Sequence, residues 1–369
     1  MIKIESFSSP VHVSINTTAK CNLNCSHCSG NYGTIQEDEM DWVGWQKVLG
    51  YLKYANVYTV NLTGGEPTQS PYLFDILDSL RSNNIYVTLS SNLVFGEKTF
   101  ERLLHYKDII RNIKTSIDGY DAEMNGIIRQ AKQFDSHKIF DMIIENFDGF
   151  RKAGLNITVT TVLHKKLISK IDKMVDFIID IKPHHWVVSP LVSIGRARHN
   201  SSQIMPEFDA IMAPGYEKIK NTLGGLGISF SQVDFPSKDR VDPYGCPACN
   251  ESVIINYDGQ VAPCQLGLEI LPRYGYTFPN VLHTDFENIW ESESFKNFRK
   301  AQKHGCFDCQ INGQCKRCIP QSLRYFHDEL SPTPYCISVA DLIGLKNKTY
   351  WEQKLNAINL EDDYEKANT

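Results

Sequence analysis

The chain has 369 residues, of which 42% are hydrophobic and 22% are charged, and its formal net charge is −5. This composition is typical of a globular protein with a sizeable core, and the length favours two domains. Because no long run of Lys or Arg offsets the acidic balance, we expect neither nucleic acid nor an anionic membrane as partner. No run of about 18 apolar residues predicts a membrane span. The first residues show no signal-peptide pattern, so we expect a cytoplasmic protein.

Short β-branched runs alternate with longer amphipathic segments over the first 200 residues. The predicted strands are 11–16, 57–62, 85–90, 112–117, 157–163 and 186–192. The predicted helices lie near 41–54, 70–83, 97–106, 139–153 and 169–180. Six strands separated by helices indicate an α/β fold with a parallel sheet, either an open barrel or a wound sheet.

Candidate functional residues follow five of these predicted strands. They are Cys21, Gly64, Asn92, Asp118 and Gly195. Active sites of barrel-type α/β folds lie at the carboxyl ends of the strands. We therefore expect these residues to meet on one face of the fold.

The composition divides the chain into four predicted parts. Residues 1–200 are the α/β barrel, 201–245 a connector, 246–340 a Cys-rich domain, and 341–369 a helical tail with a polar end. In the third part, VIINYDGQVAPC predicts a β-hairpin, with Asp258 and Gly259 as a two-residue turn.

The eleven cysteines fall into two groups, three between positions 21 and 28 and eight between 246 and 336. Disulfides are rare where thiols are kept reduced, so short spacings favour metal binding. The first group, CNLNCSHC, carries three thiols on a loop after a strand. Three thiolates leave one iron of a four-iron cluster open to a small ligand. The alternatives are inert cysteines or a zinc site, which needs a fourth ligand such as His27.

The CxxxCxxC spacing of Cys21, Cys25 and Cys28 resembles the signature of the radical S-adenosylmethionine (SAM) superfamily. This chain has His27 where the family often has an aromatic residue. The resemblance implies a partial (β/α)6 TIM-like barrel in which SAM chelates the open iron of a [4Fe–4S] cluster. It also implies reductive cleavage of SAM to a 5′-deoxyadenosyl radical that abstracts hydrogen from a substrate.

Further positions match SAM contacts of this family. LTGGEP supplies Gly64, Gly65 and Glu66, and by resemblance Glu66 contacts the methionine amino group. An ordinary Gly-rich turn is the alternative interpretation. The resemblance also implies SAM contacts from Ser90, Asn92, Ser116, Asp118 and Arg129. Each of these could instead be a cap, a loop residue or a surface charge. The motif SIGRAR makes Arg196 a weaker candidate.

The second cysteine group resembles the SPASM domain of radical SAM enzymes, a small Cys-rich domain of hairpins and helices with two auxiliary clusters. Zinc sites are the alternative. The resemblance implies one auxiliary cluster on Cys246, Cys249, Cys264 and Cys318. It implies the other on Cys306, Cys309, Cys315 and Cys336. All eleven cysteines are then ligands of three clusters, so no free thiol remains to quench a substrate radical. Electron transfer is the expected auxiliary role, which favours oxidation or crosslinking over epimerisation.

The expected substrate is a ribosomally made peptide, with a small molecule to be dehydrogenated or epimerised as the alternative. Sulfatase maturation is less favoured, because Gln265 follows Cys264 where that group has Asp. A non-catalytic iron–sulfur or zinc scaffold is the remaining alternative. Expected partners are a flavodoxin- or ferredoxin-type reductant and, for a peptide, a separate leader-binding protein. The sequence identifies no general base. Polar residues near the start of the Cys-rich domain are candidates, although exposed loop residues are the alternative interpretation; they are Asp234, Asp239, Asp242, Tyr244 and Tyr257.

Overall fold

The computed structural model describes residues 7–33, 36–212, 215–232, 246–304, 309–310 and 318–358. Part of the predicted connector, including Asp234, Asp239, Asp242 and Tyr244, lies outside the described residues. The predicted ligands Cys306 and Cys315 lie outside them as well.

Six parallel strands form the centre of the sheet, and each pairs with the next in the chain. They are β1 His12–Asn16, β2 Thr59–Thr63, β3 Tyr86–Ser90, β4 Ile110–Ser116, β5 Asn156–Leu163 and β6 His185–Pro190. The predicted α/β fold with a parallel sheet is therefore confirmed. Parallel pairing of consecutive strands requires a crossover after each strand, and helices supply it.

Three further strands extend this sheet at both edges. They are β7 Ser229–Gln232, β8 Ser252–Ile255 and β9 Val261–Ala262. β7 pairs with β6, and β8 pairs in parallel with β1. β8 and β9 form the predicted hairpin, but its loop spans 256–260 rather than two residues. The Cys-rich part of the chain thereby joins the barrel sheet directly.

The helices between the strands are α1 Trp42–Tyr54, α2 Leu73–Ser82, α3 Glu97–Leu104, α4 Ala122–Gly126, α5 Ser136–Lys152, α6 Lys165–Ile168 and α7 Ile171–Ile181. Five of them lie where amphipathic segments were predicted, and the short helices α4 and α6 were not predicted. Side-chain caps define several starts; for example, Asp41 Oδ1 accepts a hydrogen bond of 2.9 Å from Gly44 N at the start of α1.

Shorter helices make up most of the remaining described chain. They are α8 Arg196–His199, α9 Ser201–Ile204, α10 Phe208–Met212, α11 Tyr216–Gly224, α12 Gln265–Ile270, α13 Phe286–Trp290, α14 Glu293–His304, α15 Ile319–Phe326, α16 Pro334–Ser338, α17 Ala340–Ile343 and α18 Lys348–Asn356. Short 3₁₀ turns lie at Pro67–Gln69 and Leu271–Tyr274. Within the described parts of the chain, no helix combines the length and apolarity needed to cross a bilayer.

Along the barrel strands, residues that face the helices alternate with residues that face the barrel interior. On β4, Ile113 and Thr115 are buried, whereas Asn112, Lys114 and Ser116 alternate with them on the other face. One continuous core contains barrel residues such as Val13 together with Trp290 and Phe295 of the Cys-rich part. Cys249 belongs to this core, and Cys246 and Cys264 pack against it, so the shared core fixes these three cysteines against the barrel.

Candidate active site

The first three cysteines lie on a loop that the backbone holds at the carboxyl end of β1. Cys21 N donates to Gly33 O at 3.0 Å, and Ser26 N donates to Ile128 O at 2.9 Å. The side chains of Cys21, Cys25 and Cys28 all line one cavity of about 520 Å³, hereafter the cysteine cavity. The predicted convergence of the three thiols is therefore present in the fold.

Burial opposes ionisation of these thiols. It raises the pKa of Cys21 to about 12, with further contributions from Glu66 and the neighbouring cysteines. Burial also raises the pKa of Cys25. Because cluster iron binds the thiolate form, these groups would lose their protons on metal binding. The enclosed thiols are therefore suited to a resident metal centre.

The donor set fits a multi-iron cluster better than a single ion. Among the described residues, no three His, Cys, Asp or Glu side chains are arranged to hold one metal ion. A four-iron cluster holds its thiolates farther apart than one ion does, and three thiols facing a cavity match that requirement. Burial lowers the pKa of His27 to about 4, and its Nε2 lies 3.8 Å from Asp118 Oδ2. His27 lines the cysteine cavity beside Cys28.

The Gly64-Gly65 turn after β2 packs directly against the cysteine loop. Gly65 N donates to Thr18 O at 2.8 Å, and Glu66 N donates to Lys20 O at 2.9 Å. Gly64 has φ of +117°, and a Cβ there would lie 2.7 Å from Thr18 O. A Cβ on Gly65 would overlap the Lys20 carbonyl. The turn requires both glycines, and both line the cysteine cavity.

The Glu66 carboxylate is fully buried and stabilises the loop after β3 by hydrogen bonds. It accepts hydrogen bonds from Asn92 N at 2.7 Å and from Ser91 Oγ at 2.8 Å. It also accepts from Thr68 N at 3.1 Å and Thr68 Oγ1 at 2.9 Å. Burial raises the pKa of Glu66, and these hydrogen bonds oppose the rise. Glu66 therefore lies behind the cavity wall rather than on its surface.

The loop after β3 brings Asn92 to the first cysteine. Asn92 Nδ2 lies 3.9 Å from Cys21 Sγ and donates to Asn22 Oδ1 at 2.8 Å. Asn92 also lines a second cavity of about 410 Å³, hereafter the lumen cavity. Ser90 and Ser116, two further candidates from the sequence, line it too. The two cavities share six lining residues, namely Gly64, Gly65, Asn92, Lys114, Arg129 and Gln265.

Arg129 reaches both cavities and is held by Asp118. Arg129 Nε lies 2.5 Å from Asp118 Oδ2, and both side chains are buried. Asp118 Oδ1 also accepts from Val162 N at 2.7 Å. Burial disfavours the charge of Asp118, but Arg129, His27 and the hydrogen bond from Val162 N together hold the pKa of the carboxyl below its usual value. Asp118 thus orients Arg129, and it lines neither cavity.

Arg196, the weaker sequence candidate, fixes the cysteine loop from the opposite side. Its Nε donates to Cys25 O at 2.7 Å, and its Nη1 donates to Tyr32 O at 2.7 Å. Its backbone N–H donates to Cys28 O at 2.9 Å. The preceding residue, Gly195, has φ of +53°, and a Cβ there would overlap backbone carbonyls of this loop. The GRA motif therefore positions the cysteine loop.

The second cysteine group approaches the same cavities. Cys264 lines the lumen cavity, and Gln265 lines both cavities. Burial raises the pKa of Cys249, Arg299 lowers it, and the nearby Cys264 and Cys246 raise it further. These three thiols are therefore neighbours.

Two other late cysteines form a separate pair. Burial raises the pKa of Cys336, and the nearby Cys309 raises it further. Cys318 lies at the start of α15. Its grouping with Cys246, Cys249 and Cys264, and the second set of four, remain predictions.

Motif spacing did not identify several lining residues, among them Lys114 and Gln265. Lys114 sits in a strand whose polar positions alternate, and this pattern is the signal that places them inside a barrel. Gln265 had entered the sequence argument only as an unexpected neighbour of Cys264. Its Nε2 donates to Tyr32 Oη at 3.1 Å, and its Oε1 accepts from Asn16 Nδ2 at 3.1 Å.

The fold and site together define an α/β-barrel enzyme built around a thiolate-bound cluster. The model of the radical SAM superfamily matches residues 15–178, and that of the SPASM iron–sulfur cluster-binding domain matches residues 246–319. This chain belongs to the radical SAM superfamily and carries a SPASM domain. Its cofactors are [4Fe–4S] clusters and SAM.

The similar proteins span most of the chain. PqqA peptide cyclase from Bradyrhizobium diazoefficiens is 25% identical over 90% of this chain and 87% of the relative. AdoMet-dependent heme synthase from Methanosarcina barkeri is 22% identical over 89% of this chain and 97% of the relative. Streptococcus suis SuiB bound to S-adenosylmethionine has a TM-score of 0.71 at 19% identity, over 90% of this chain and 79% of that one. The structure of SuiB bound to precursor peptide SuiA also has a TM-score of 0.71 at 19% identity, over 90% of this chain and 77% of that one.

These assignments give the protein's own residues distinct tasks. Cys21, Cys25 and Cys28 are the residues that would hold the SAM-binding cluster. When bound, the cluster and SAM together supply a carbon-centred radical able to remove hydrogen from an unactivated position. The glycine turn and Arg196 fix the cysteine loop from two sides. Because the two cavities share lining residues, a substrate in the lumen cavity would lie beside the cofactor.

Proposed function

We propose that this enzyme oxidatively modifies a ribosomally made peptide, by crosslinking or by another reaction that removes two hydrogens. The relatives named PqqA peptide cyclase support a peptide substrate. The structure of SuiB with its precursor peptide shows that this fold can accept one. The four-part division of the chain, the ligand sets of two auxiliary clusters and the SAM contacts predicted from sequence are parts of the same proposal. Within it, Glu66 and Asp118 act on the SAM site through Asn92 and Arg129, which they hold.

One observation carries the oxidative part of the proposal. Cys264 of the second cysteine group lines the lumen cavity together with Ser90 and Ser116, the predicted SAM contacts. A substrate in that cavity would therefore lie between the radical source and an auxiliary thiol. In the balanced reaction, one hydrogen atom leaves the substrate for the deoxyadenosyl group. One proton and one electron then follow, the electron passing to the auxiliary site.

Gln265, next to Cys264, argues against sulfatase maturation, because that group has Asp at this position. An amide cannot act as a general base, and this one is held by Asn16 and Tyr32. For partners, we propose a flavodoxin- or ferredoxin-type reductant, and a separate leader-binding protein for the peptide.

The proposal is tested with the anaerobically reconstituted enzyme, SAM, a reductant and the synthetic peptide encoded by a neighbouring short reading frame. We expect mass spectrometry to show a peptide that has lost two hydrogens. Cys264→Ala should still form 5′-deoxyadenosine but should lose this peptide product. In D₂O, a peptide that gains deuterium without net loss of hydrogen would reject oxidation in favour of epimerisation.

A small-molecule substrate is the second candidate. The relative named AdoMet-dependent heme synthase, aligned over 97% of its length, favours it. Deoxyadenosine formation that responds to tetrapyrrole precursors and not to peptides would select this candidate.

A further inference from the structure

Lys114 occupies an unusual place for a lysine, on the interior face of the barrel. It lies in β4 opposite Ser90 of β3 and Thr158 of β5. Its side chain lines both the cysteine cavity and the lumen cavity. Lys114 is exposed to the interior of the barrel, although desolvation by the surrounding protein lowers the pKa of its ammonium.

The ammonium lacks a counter-ion among the described residues. There, neither a hydrogen bond nor an ion pair engages Lys114 Nζ, and neither cavity is lined by Asp or Glu. The neighbouring polar groups bond to each other instead: Ser90 Oγ donates to Asn61 Oδ1 at 2.7 Å. An ammonium that faces a cavity without a counter-ion is suited to an anionic ligand, because a carboxylate accepts charge-assisted hydrogen bonds from it.

The other cations of these cavities already have partners. Arg129 pairs with Asp118, and Arg196 binds carbonyl oxygens of the cysteine loop. His27 Nε2 lies 3.8 Å from Asp118 Oδ2. Lys114 is thus the cation that remains for a bound molecule within the described cavity walls.

SAM is a poor match for this ammonium. Its only anionic group is the methionine carboxylate, for which Arg129 is the predicted partner. Its sulfonium is positive and would repel a second cation, and its ribose and adenine carry no charge. The unmatched positive charge therefore calls for an anion from another molecule in the cavity.

We propose that Lys114 binds a carboxylate of the substrate and so positions the substrate within the lumen. The inference rests on the proposed function only in taking the substrate to be a peptide. The carboxylate then comes from an Asp or Glu side chain or from the peptide C-terminus. Charge-assisted hydrogen bonds of this kind are about twice as strong as neutral ones, so the contact would select a carboxylate over its amide.

Three small probes separate these sources without requiring turnover. N-acetylglutamate N-methylamide carries only a side-chain carboxylate, N-acetylglutamine carries only a terminal one, and N-acetylglutamine N-methylamide carries neither. Binding to the SAM-loaded, cluster-reconstituted enzyme is measured by ligand-observed NMR. We expect one of the two carboxylate probes to bind about fivefold more tightly than the neutral probe. The preferred probe identifies the source.

Three variants test whether Lys114 causes this preference. Lys114→Met should abolish it, Lys114→Arg should retain part of it, and Lys98→Met, on the exposed face of α3, should retain all of it. Equal binding of all probes to the wild type, or a preference that persists in Lys114→Met, would overturn the inference. So would weakened SAM binding by Lys114→Met and Lys114→Arg at unchanged iron content, because the ammonium would then serve the cofactor. A failure of peptide oxidation with the carboxylate preference intact would count against the proposed function alone.

Discussion

The guanidinium of Arg129 and the carboxylate of Asp118 form a buried ion pair, with Nε and Oδ2 2.5 Å apart. Only 6% of Arg129 is exposed, and Asp118 is fully buried. The pair lies at the wall of the cysteine cavity, where Arg129 is the predicted partner of the SAM carboxylate. Asp118 therefore acts on the cofactor site through the orientation of Arg129.

Asp118→Asn should destabilise the protein by about 3–5 kcal/mol, because it leaves the Arg129 charge buried without its partner. The folded pKa of Asp118 is depressed, so the stability it contributes is present above the ordinary Asp value near 3.8 and is lost as pH falls through the folded value. The deficit of the variant should therefore shrink towards strongly acidic pH.

The exposed pair of Arg81 and Asp108 provides the matched control. Asp108→Asn should cost less than about 1 kcal/mol, because solvent screens that pair. Thermal unfolding of the holoenzyme measures both variants. Equal destabilisation by the two substitutions would contradict the role assigned to the buried pair.

Gly65→Ala should disturb the cysteine loop although Gly65 is no predicted cluster ligand. The added Cβ would overlap the carbonyl oxygen of Lys20, the residue before Cys21. A displacement of the loop by about 1 Å could reduce catalysis about a hundredfold. Iron content and deoxyadenosine formation measure the effect.

Gly96→Ala serves as its control, since a Cβ at Gly96 meets no atom within 4 Å. If Gly65→Ala and Gly96→Ala both retain the wild-type iron content and rate of deoxyadenosine formation, the close contact between the turn and the cysteine loop is not required for cluster binding or catalysis.

Glu269 on α12 should make stability depend on pH near neutrality. Burial raises the pKa of Glu269 from 4.5 to about 7, and Arg273 partly opposes this shift. Between these values the folded protein binds more protons than the unfolded chain, so stability should fall as pH rises from about 4.5 to about 7. The loss should reach up to about 3 kcal/mol.

Glu269→Gln should remove this loss, so that the variant is more stable than the wild type at pH 8 and similar at pH 5. Glu145→Gln, on the exposed face of α5, is the matched control and should follow the wild-type profile. Thermal unfolding of each holoenzyme from pH 5 to pH 8 provides the comparison. A wild-type profile for Glu269→Gln would show that Glu269 ionises freely in the folded protein.

The sequence predicted the six central strands well, because each is a short β-branched run with a local pattern. It did not reveal that β8 pairs with β1, since that pairing joins residues some 240 positions apart and leaves no local signal. It did not predict β7 either, because the four residues SFSQ are too short and too polar to form a recognisable strand pattern.

The candidate site shows the same division between local and distant information. Motif spacing located Cys21 and Gly64, because each lies in a short motif directly after a strand. The burial of Glu66 behind the cavity wall depends on Ser91 and Asn92 of a different loop. The position of Lys114 depends on the curvature that turns the polar face of β4 inward.

The most direct test of the account is the formation of 5′-deoxyadenosine from SAM by the anaerobically reconstituted, reduced enzyme. The wild type should form deoxyadenosine and contain about twelve iron atoms per chain, as three four-iron clusters require. Cys21→Ala should lose about four iron atoms and all SAM cleavage, because the cysteine cavity then supplies only two thiolates. Deoxyadenosine formation by Cys21→Ala at the wild-type rate would contradict the assignment of this cavity as the site of radical generation.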